Sequence, residues 1–326
     1  MKEKILNILM NNMHQYISGE ALAEECGVSR AAVWKHINGL KKEGYRIETL
    51  NKKGYKLINN NEKLLPAEIQ SGINTHKIAT GIIHFDTVDS TNSYAKSIAE
   101  GQQTGTVIIS EEQVGGRGRM GRQWSSPRGE GIFMSIILKP KISPLEGSKL
   151  TQIAAAAVCQ AIRKVTGLEA KIKWPNDIVI EGKKVCGILT EMSAELNEVH
   201  YLVVGIGVNV NNTDLPDEIK DKATSLKVQL GKDINRRDVV CAIINLFEPL
   251  YDDFVQDGTL EKTIEICRKE SAVLGKSIII LQKDMEVKAK AIEITNEGLL
   301  KVQYEDGRED MIISGEVSIR GEKGYV

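Results

Sequence analysis

A stretch rich in glycine and arginine carries a strong chemical signal in this chain. Residues 115–124 read GGRGRMGRQW, so that Arg117, Arg119 and Arg122 alternate with glycines. Arginine stays protonated and cannot act as a base, but its guanidinium binds anions by charge and by paired hydrogen bonds. Glycine allows the backbone to approach a ligand closely. The stretch therefore predicts a loop that neutralises negatively charged reactants.

Other interpretations of this stretch are weaker. Residues 116–121 match the dinucleotide fingerprint G-x-G-x-x-G, but two arginines lie inside the match and a strand-like run follows where a helix is required. The P-loop motif G-x-x-x-x-G-K-[ST] is absent from the sequence. A disordered RNA-binding segment is disfavoured because two apolar runs, TVIIS and GIFMSIIL, flank the stretch. We expect a short loop held between core strands, a common position for a site.

Four further motifs could contribute to the same site. STN (90–92) starts a helical run in which Ser90 can cap the helix, and helix N-termini offer free N–H groups to ligands. KWPND (173–177) and GKKVCG (182–187) are, taken alone, typical of turns. The glycines of GIGVN (205–209) interrupt an apolar strand, which predicts the close approach of another chain segment or of a ligand.

The amino-terminal residues, 1–65, predict a winged helix-turn-helix. After the helical run GEALAEEC, Ser29 can cap a second helix whose apolar stripe is Val33, Ile37 and Leu40. A strand, the turn NKKG and a second strand form the wing. This segment holds eleven Lys/Arg and seven Asp/Glu, a net charge of +4, which leaves −5 for the rest of a chain of net charge −1. The positive charge lies where a duplex-binding module needs it.

The face of the second helix that lies off the apolar stripe, together with the tip of the wing, predicts the DNA contacts. The predicted DNA-binding residues are Ser29, Arg30, Lys35, Asn38, Lys52 and Lys53. Small helix-turn-helix units also serve as protein-interaction domains, and this alternative stays open.

The remainder of the chain divides into two parts. Residues 66–270 mix strands and helices and predict an α+β domain on a substantial sheet, with AKIKWPNDIVI as one strand. Residues 271–326 consist of short strands and glycine turns and predict a small all-β barrel. Five scattered cysteines indicate reduced thiols in a packed interior. Because no stretch approaches the roughly 20 apolar residues of a membrane helix, we expect a soluble, cytoplasmic protein with no membrane contact.

The ordered set STN, GRGRMGRQW, KWPND, GKKVCGIL, GIGVNV and SGEVSIRG resembles that of the biotin–protein ligases. With its winged helix, the chain is similar to the bifunctional bacterial form, which is both a biotin–[acetyl-CoA carboxylase] ligase and a biotin operon repressor. The resemblance covers essentially the whole chain. It implies an α+β multidomain fold: a winged helix-turn-helix, a mixed α/β domain of the biotin/lipoate ligase type, and an SH3-like β-barrel.

The resemblance also implies roles for individual residues. Those implied to contact biotin or its acyl phosphate are Ser90, Thr91, Asn92, Gln113, Arg117, Gly118, Arg119 and Lys184, with Trp124 near the adenylate end. Asp177 and Asn209 are implied on the side of ATP and Mg²⁺, with Asp177 as the metal ligand. The group implied in catalysis is Lys184, Arg117, Arg119 and Asp177.

The implied reaction brings two anions together. The biotin carboxylate attacks ATP to give biotinyl-5′-AMP, and a lysine of a biotin carboxyl carrier domain then accepts biotin. The same adenylate is implied as the corepressor, which favours a homodimer through the central sheet and binding to palindromic operator DNA. A ligand sensor without catalysis and a lipoate-type ligase are the alternatives. Lys184 and Asp177 argue against the first, and the Gly/Arg loop with the winged helix argues against the second.

Overall fold

A computed structural model describes residues 1–58, 63–196, 198–282, 285–313, 317–321 and 325–326. The chain forms two compact units, Met1–Ile73 and Asn74–Val326. Residues 314–316, the first three of the motif SGEVSIRG, lie outside the described residues.

The first unit is the predicted winged helix-turn-helix. Its elements are α1 (Lys2–Asn11), α2 (Gly19–Cys26), α3 (Arg30–Lys42), β1 (Ile47–Leu50), β2 (Gly54–Leu57) and α4 (Pro66–Gln70). Ser29 accepts a hydrogen bond from the backbone N–H of Ala32 and caps α3, as expected. The apolar stripe of α3 is buried in a core shared with α1 and α2. Helix α4 belongs to this unit, whereas the domain division after residue 65 stays a prediction.

The second unit contains a large mixed sheet with its helices. Its first elements are β3 (Ile82–Phe85), α5 (Thr91–Ile98), β4 (Val107–Ser110), β5 (Gly131–Leu138), α6 (Lys149–Thr166), β6 (Lys171–Lys173), β7 (Asp177–Ile180), β8 (Lys183–Glu195), β9 (Glu198–Asn209), α7 (Leu226–Leu230), α8 (Arg236–Asp257) and α9 (Glu261–Lys269), with 3₁₀ turns at Ala99–Gly101, Arg119–Gly121 and Pro144–Glu146. The strand order is β3-β4-β5-β9-β8-β7-β6. Strands β3 and β4 are parallel, and the other neighbours are antiparallel.

The sheet forms the core of this unit. All eight residues of β5 are buried, which agrees with the mainly apolar run GIFMSIIL in the sequence. Helix α5 packs on the sheet through small and aliphatic side chains, and the long helix α6 contacts both the strands and α8. All five cysteines are free and buried, as predicted. Within the described ranges, no helix combines the length and the apolar character needed to cross a membrane.

A smaller antiparallel sheet completes the second unit, in agreement with the predicted all-β part. Its strands are β10 (Ser277–Gln282), β11 (Met285–Ile294), β12 (Leu300–Tyr304), β13 (Glu309–Ile312) and β14 (Val317–Gly321), in the order β13-β12-β11-β10-β14. The backbone oxygen of Gly298 accepts a hydrogen bond of 3.1 Å from Trp174 Nε1. This buried contact joins the small sheet to the turn between β6 and β7.

A buried ion pair connects α8 to the large sheet. Arg236 Nη2 lies 2.7 Å from Glu111 Oε2, and Arg236 Nη1 donates to the backbone oxygen of Gly131 at 3.0 Å. The second carboxylate oxygen of Glu111 is 3.1 Å from His84 Nε2. Both charged side chains are 2% exposed. Because both charges have left water, each depends on its partner to remain in the interior.

Replacing Arg236 with Met should lower the free energy of unfolding by about 3–5 kcal/mol, because the Glu111 carboxylate then stays buried without its guanidinium. Denaturant unfolding followed by circular dichroism measures the change. Adding Glu111→Gln should restore a large part of the loss. Lys220 is the control, since it pairs with Asp217 on the surface, and Lys220→Met should cost less than about 0.5 kcal/mol. A similar loss in Arg236→Met and Lys220→Met would contradict the role of the buried pair.

Candidate active site

An open cleft on the second unit brings together residues from five parts of the chain. Its volume, including the open mouth, is about 450 Å³. The residues predicted from sequence that line it are Ser90, Thr91, Asn92, Gln113, Arg117, Gly118, Arg119, Trp124 and Lys184. Apolar side chains that also line it are Phe133, Met134, Ile188, Leu189 and Ile206. The cleft therefore combines an apolar wall with polar and cationic groups.

The polar end of the cleft is built on the first turn of α5. Gln113 Oε1 accepts hydrogen bonds from the backbone N–H and the hydroxyl of Thr91, at 2.8 and 3.1 Å. The hydroxyl of Ser135 in β5 lies 2.8 Å from Thr91 Oγ1 and 2.6 Å from Asn92 Oδ1. Asn92 Nδ2 donates to Glu191 Oε2 at 2.9 Å. Donors and acceptors are thus held by their neighbours in one orientation, as a polar ligand requires.

Ser90 serves two purposes in this end of the cleft. Its hydroxyl oxygen accepts the backbone N–H of Ser93 and caps α5, and the residue also lines the cleft. The capping interpretation and the ligand-binding interpretation of the STN motif are therefore compatible at this position.

Two glycines of β9 are required by close approaches, as the GIGVN pattern predicts. A Cβ atom on Gly205 would lie 2.1 Å from Asn92 Oδ1, and one on Gly207 would lie 2.7 Å from the indole of Trp124. The Nε1 atom of Trp124 is buried without a hydrogen-bond partner among the described groups. The missing side chains thus make room for Asn92 and Trp124 beside the sheet.

The Gly/Arg stretch forms a hairpin between β4 and β5. Arg117 pairs with Gln123 in an isolated bridge, and the backbone N–H of Gly118 donates to the oxygen of Arg122 at 2.7 Å. At the tip, Met120 is 65% exposed and has a φ of 58°. The loop is held at both ends by core strands, as expected, while its tip extends into solvent.

The charged end of the cleft is organised around one carboxylate. Asp177, the first residue of β7, accepts Lys184 Nζ at 2.6 Å through Oδ1. Asn176 lies between Asp177 and the loop, because its Oδ1 accepts Arg119 Nη1 at 2.7 Å while its Nδ2 lies 3.2 Å from Asp177 Oδ1. Burial lowers the pKa of Arg119, and the nearby Asp177 carboxylate opposes this shift.

Tyr325 and Lys173 extend this charged end. The hydroxyl of Tyr325 donates to Asp177 Oδ2, and Lys173 Nζ lies 3.3 Å from the centre of the tyrosine ring. Burial lowers the pKa of Lys173 to about 7, although the Asp177 carboxylate acts in the opposite direction. We call the five basic side chains that interact with one another or with Asp177 the cation cluster: Lys173, Lys184, Arg119, Arg122 and Arg320.

Two of the predicted residues do not line the cleft. Asp177 contacts the cleft through its ion pair with Lys184. Asn209, the last residue of β9, is buried, and its Nδ2 donates to the backbone oxygen of Thr224 at 3.2 Å. In the part of the chain that the structure describes, no cluster of three or more His, Cys, Asp or Glu side chains is placed to hold a metal ion.

Three residues that contact the predicted site residues are not predicted from the sequence. Ser135 orients both Thr91 and Asn92, and its one signal was a polar residue within the apolar run GIFMSIIL. Asn176 belongs to KWPND but was assigned no role of its own. Tyr325 has no motif around it, and only its contact with Asp177 reveals it.

The first unit presents a separate basic face. The predicted residues Ser29, Arg30, Lys35, Lys52 and Lys53 are exposed and Asn38 is half-buried. On α3 the indole of Trp34 is also exposed, by 61%. Their positions on α3, at its N-cap and at the wing tip between β1 and β2 agree with a surface that contacts duplex DNA.

Comparison with known families matches three successive parts of the chain. Residues 2–56 match an HTH domain, residues 84–209 match the biotin/lipoate A/B protein ligase family, and residues 273–320 match the biotin protein ligase C terminal domain. All the cleft residues named above between Ser90 and Asn209 fall within the central match.

Individual relatives extend over nearly the full length. The chain is 38% identical over 311 residues to the bifunctional ligase/repressor BirA of Bacillus subtilis (strain 168), which covers 94% of this chain and 95% of that protein. It is 26% identical over 317 residues to the BirA protein of Escherichia coli (strain K12), covering 97% and 96%. The solved structure of the biotin protein ligase from Aquifex aeolicus in complex with biotin and ATP has a TM-score of 0.66 and 30% identity, covering 74% of this chain and 100% of that chain.

The close approach at Gly205 gives a direct test of the polar end. Gly205→Ala should lower the free energy of unfolding by about 1–3 kcal/mol, because the new methyl group displaces Asn92 from its buried hydrogen bonds. Gly101→Ala is the control, since a Cβ atom there meets no atom within 4 Å. Urea unfolding compares the two variants. Equal stability of Gly205→Ala and the unaltered protein would show that Asn92 is not confined by the strand.

Proposed function

The chain belongs to the biotin protein ligase family, and on this premise we propose that the cleft activates biotin with ATP and transfers it to a protein lysine. The protein is an ATP-dependent biotin–[acetyl-CoA carboxylase] ligase that carries a DNA-binding repressor unit. One observation carries the assignment of the site: a single cleft combines a fixed polar network, an apolar wall and clustered cations.

The chemistry of biotin fits these three parts. Its ureido group needs both donors and acceptors, which Thr91, Asn92 and Gln113 supply in fixed orientations. Its aliphatic chain suits the apolar wall. Its carboxylate requires positive charge, which Lys184 and Arg119 provide. We therefore place the ureido group at the polar end and the carboxylate toward the cation cluster, with Ser90, Arg117 and Gly118 as further contacts.

The first step joins two anions. A carboxylate oxygen of biotin attacks the α-phosphorus of ATP, an oxygen–phosphorus bond forms, and the bond to pyrophosphate breaks. Lys184, Arg117 and Arg119 would offset the repulsion between the reactants and stabilise the charge that develops on the oxygens. Trp124 would pack beside the adenylate, where its buried Nε1 lacks a partner among the described groups, and Asn209 would act from the nucleotide side.

The second step transfers biotin to its protein substrate, a biotin carboxyl carrier domain. The neutral amine of a carrier lysine attacks the acyl carbon of biotinyl-5′-AMP, an amide bond forms, AMP leaves and the amine loses a proton. Water competes with the amine for this mixed anhydride. The exposed hairpin tip around Met120 supports a loop that closes over the adenylate and excludes water.

Mg²⁺ is part of the proposal with one candidate ligand. Asp177 offers a carboxylate, but its two oxygens are engaged by Lys184 and Tyr325. Asp177 is the residue that would hold a Mg²⁺ ion, with the ion's other ligands supplied by phosphate oxygens and water, as is common for Mg²⁺. When bound, the ion would supply charge neutralisation at the phosphates.

The repressor function uses the winged helix, and we propose that it acts as an adenylate-bound homodimer on palindromic operator DNA. A strand edge supports the dimer: residues 190–195 of β8 pair with β9 alone among the described strands, and Met192 on this edge is 42% exposed. Such an edge can pair with a second copy and extend the sheet. Because ATP, carrier and operator occur there, we place the protein in the cytoplasm.

Two alternatives are less well supported. A pure biotin sensor would not need Lys184 and Arg119 beside the acyl position, and it would show no biotin-dependent exchange of pyrophosphate into ATP. A lipoate ligase would use lipoate in place of biotin, yet the solved structure that is 30% identical to this chain is a biotin protein ligase in complex with biotin and ATP. Incubation with ATP, Mg²⁺, a carrier domain and each acid in turn, followed by mass spectrometry of the carrier, separates these functions.

Lys184→Ala should slow biotin-dependent pyrophosphate exchange by about 10²–10³-fold, because it removes a cation that acts on developing charge. Exchange of labelled pyrophosphate into ATP measures this step alone. The neighbouring Lys183 is exposed, and Lys183→Ala should retain nearly full exchange. Near-normal exchange in Lys184→Ala would refute the role given to this ammonium group.

In the winged helix, Lys35→Ala and Lys52→Ala should each weaken DNA binding, because each removes one phosphate contact. The slope of the logarithm of the binding constant against the logarithm of the salt concentration should become shallower by about one unit. Fluorescence anisotropy at several salt concentrations measures both quantities, on a duplex selected from a random pool by the biotin- and ATP-loaded protein. Lys4→Ala on α1 is the matched control. Pyrophosphate exchange should be normal in all three variants, and unchanged DNA affinity in the first two would contradict the predicted face.

A further inference from the structure

The side chain of Tyr325 covers two opposite charges at once. Its hydroxyl donates to Asp177 Oδ2, while its ring face lies 3.3 Å from Lys173 Nζ. Lys173 is only 4% exposed. A single neutral side chain therefore shields both a carboxylate and an ammonium group at the charged end of the cleft.

Tyr325 is also linked directly to the cleft. The other oxygen of Asp177 lies 2.6 Å from Lys184 Nζ, and Lys184 lines the cleft. Arg119, which also lines the cleft, donates to Asn176 Oδ1 at 2.7 Å, and Asn176 Nδ2 lies 3.2 Å from Asp177 Oδ1. Only the Asp177 carboxylate and the Lys184 ammonium group therefore stand between the tyrosine ring and the proposed position of the biotin carboxylate.

The side chains around the tyrosine ring carry more positive than negative charge, and the neutral phenol does not offset this excess. The cation cluster holds Lys184, three arginines and Lys173, whose ammonium group is only partly protonated near neutral pH because burial lowers its pKa to about 7, and Asp177 contributes one negative charge among them. A neutral tyrosine adds nothing to this balance. The ligand chemistry that fits such an excess of positive charge is a polyphosphate.

We propose that Tyr325 is a plug that ATP must displace: its ring occupies the space between Lys173 and Asp177 into which the phosphates of the nucleotide bind. The inference rests on the proposed ligase function and assigns to Tyr325 a role in regulating access of ATP. Displacement exposes the ammonium group of Lys173 to a phosphate and frees Asp177 Oδ2.

The contacts of the plug are weak enough to be exchanged. A cation–π contact and one hydrogen bond to a carboxylate are modest interactions, whereas phosphate oxygens form charge-assisted bonds with several cations together. ATP binds only to molecules in which the ring has left the space between Lys173 and Asp177. The apparent affinity for ATP is therefore the intrinsic affinity multiplied by the fraction of such molecules. Biotin binding should change much less than ATP binding, because the polar end that receives the ureido group is formed by Thr91, Asn92 and Gln113.

Tyr325→Ala should therefore bind ATP about tenfold more tightly, the change given by losing one such contact, with a matching fall in KM for ATP in pyrophosphate exchange. Tyr325→Phe keeps the ring and should give a smaller gain. Calorimetry in saturating biotin measures the affinity for an ATP analogue with a methylene bridge between its α- and β-phosphorus, which cannot transfer its adenylyl group to biotin. Biotin titration of each variant verifies the fold. Tyr304→Ala is the matched control, since its hydroxyl also contacts an aspartate, Asp310, and Arg308 also lies over its ring.

The outcomes separate the two levels of the proposal. Unchanged or weaker binding of the ATP analogue by Tyr325→Ala, with normal biotin affinity, overturns the plug. A gain of the same size in Tyr304→Ala also overturns it, because the effect would then not belong to the cation cluster. An unaltered protein that binds no biotin instead overturns the proposed function.

Discussion

The repulsion between a carboxylate and a polyphosphate is the constraint on which this site depends. Positive charge must be concentrated to overcome it, but basic side chains brought together also repel one another. Asp177 meets this requirement, because its carboxylate holds Lys184 at 2.6 Å and interacts with Lys173 and Arg119. Asn176 fixes the guanidinium of Arg119 beside it. One carboxylate outside the cleft lining thus allows several cations to gather at one end.

The sheet provides the rigid surface against which the polar end is ordered. Ser135 reaches Thr91 and Asn92 from β5, and Gly205 leaves space for Asn92 over β9. Strands β4, β5 and β9 are hydrogen-bonded to their neighbours, so that the sheet holds these positions in a fixed register. A polar ligand can then be selected by fixed donors and acceptors, at little ordering cost when it binds.

The two ends of the cleft also differ in how they are closed. The polar end is a network of hydrogen bonds, whereas at the charged end Tyr325 contacts both Asp177 and Lys173. This difference suits a two-substrate reaction, because the reactive adenylate must be formed and then shielded from water. The same ligand state can be reported to the repressor function if it favours the dimer-competent form.

Local patterns in the sequence determined a large part of this protein. The caps and apolar stripe of the helix-turn-helix, the buried strand β5 and the Gly/Arg loop between strands follow from neighbouring residues, because capping, periodicity and glycine flexibility are local properties. The family resemblance assigned most of the cleft lining. However, AKIKWPNDIVI was wrongly expected to be one strand: Pro175 cannot donate to a strand ladder, and the chain turns there between β6 and β7.

Tertiary structure alone decided which charges meet. It placed Asp177 and Asn209 outside the cleft lining, made Ser135 a partner of the STN motif, and brought Tyr325 to Asp177 across 148 positions of sequence. Such contacts depend on the order of strands and on the packing of the two sheets, and residues far apart in sequence carry no local sign of them. The residue types of the site could therefore be read from the chain, while their mutual positions required the fold.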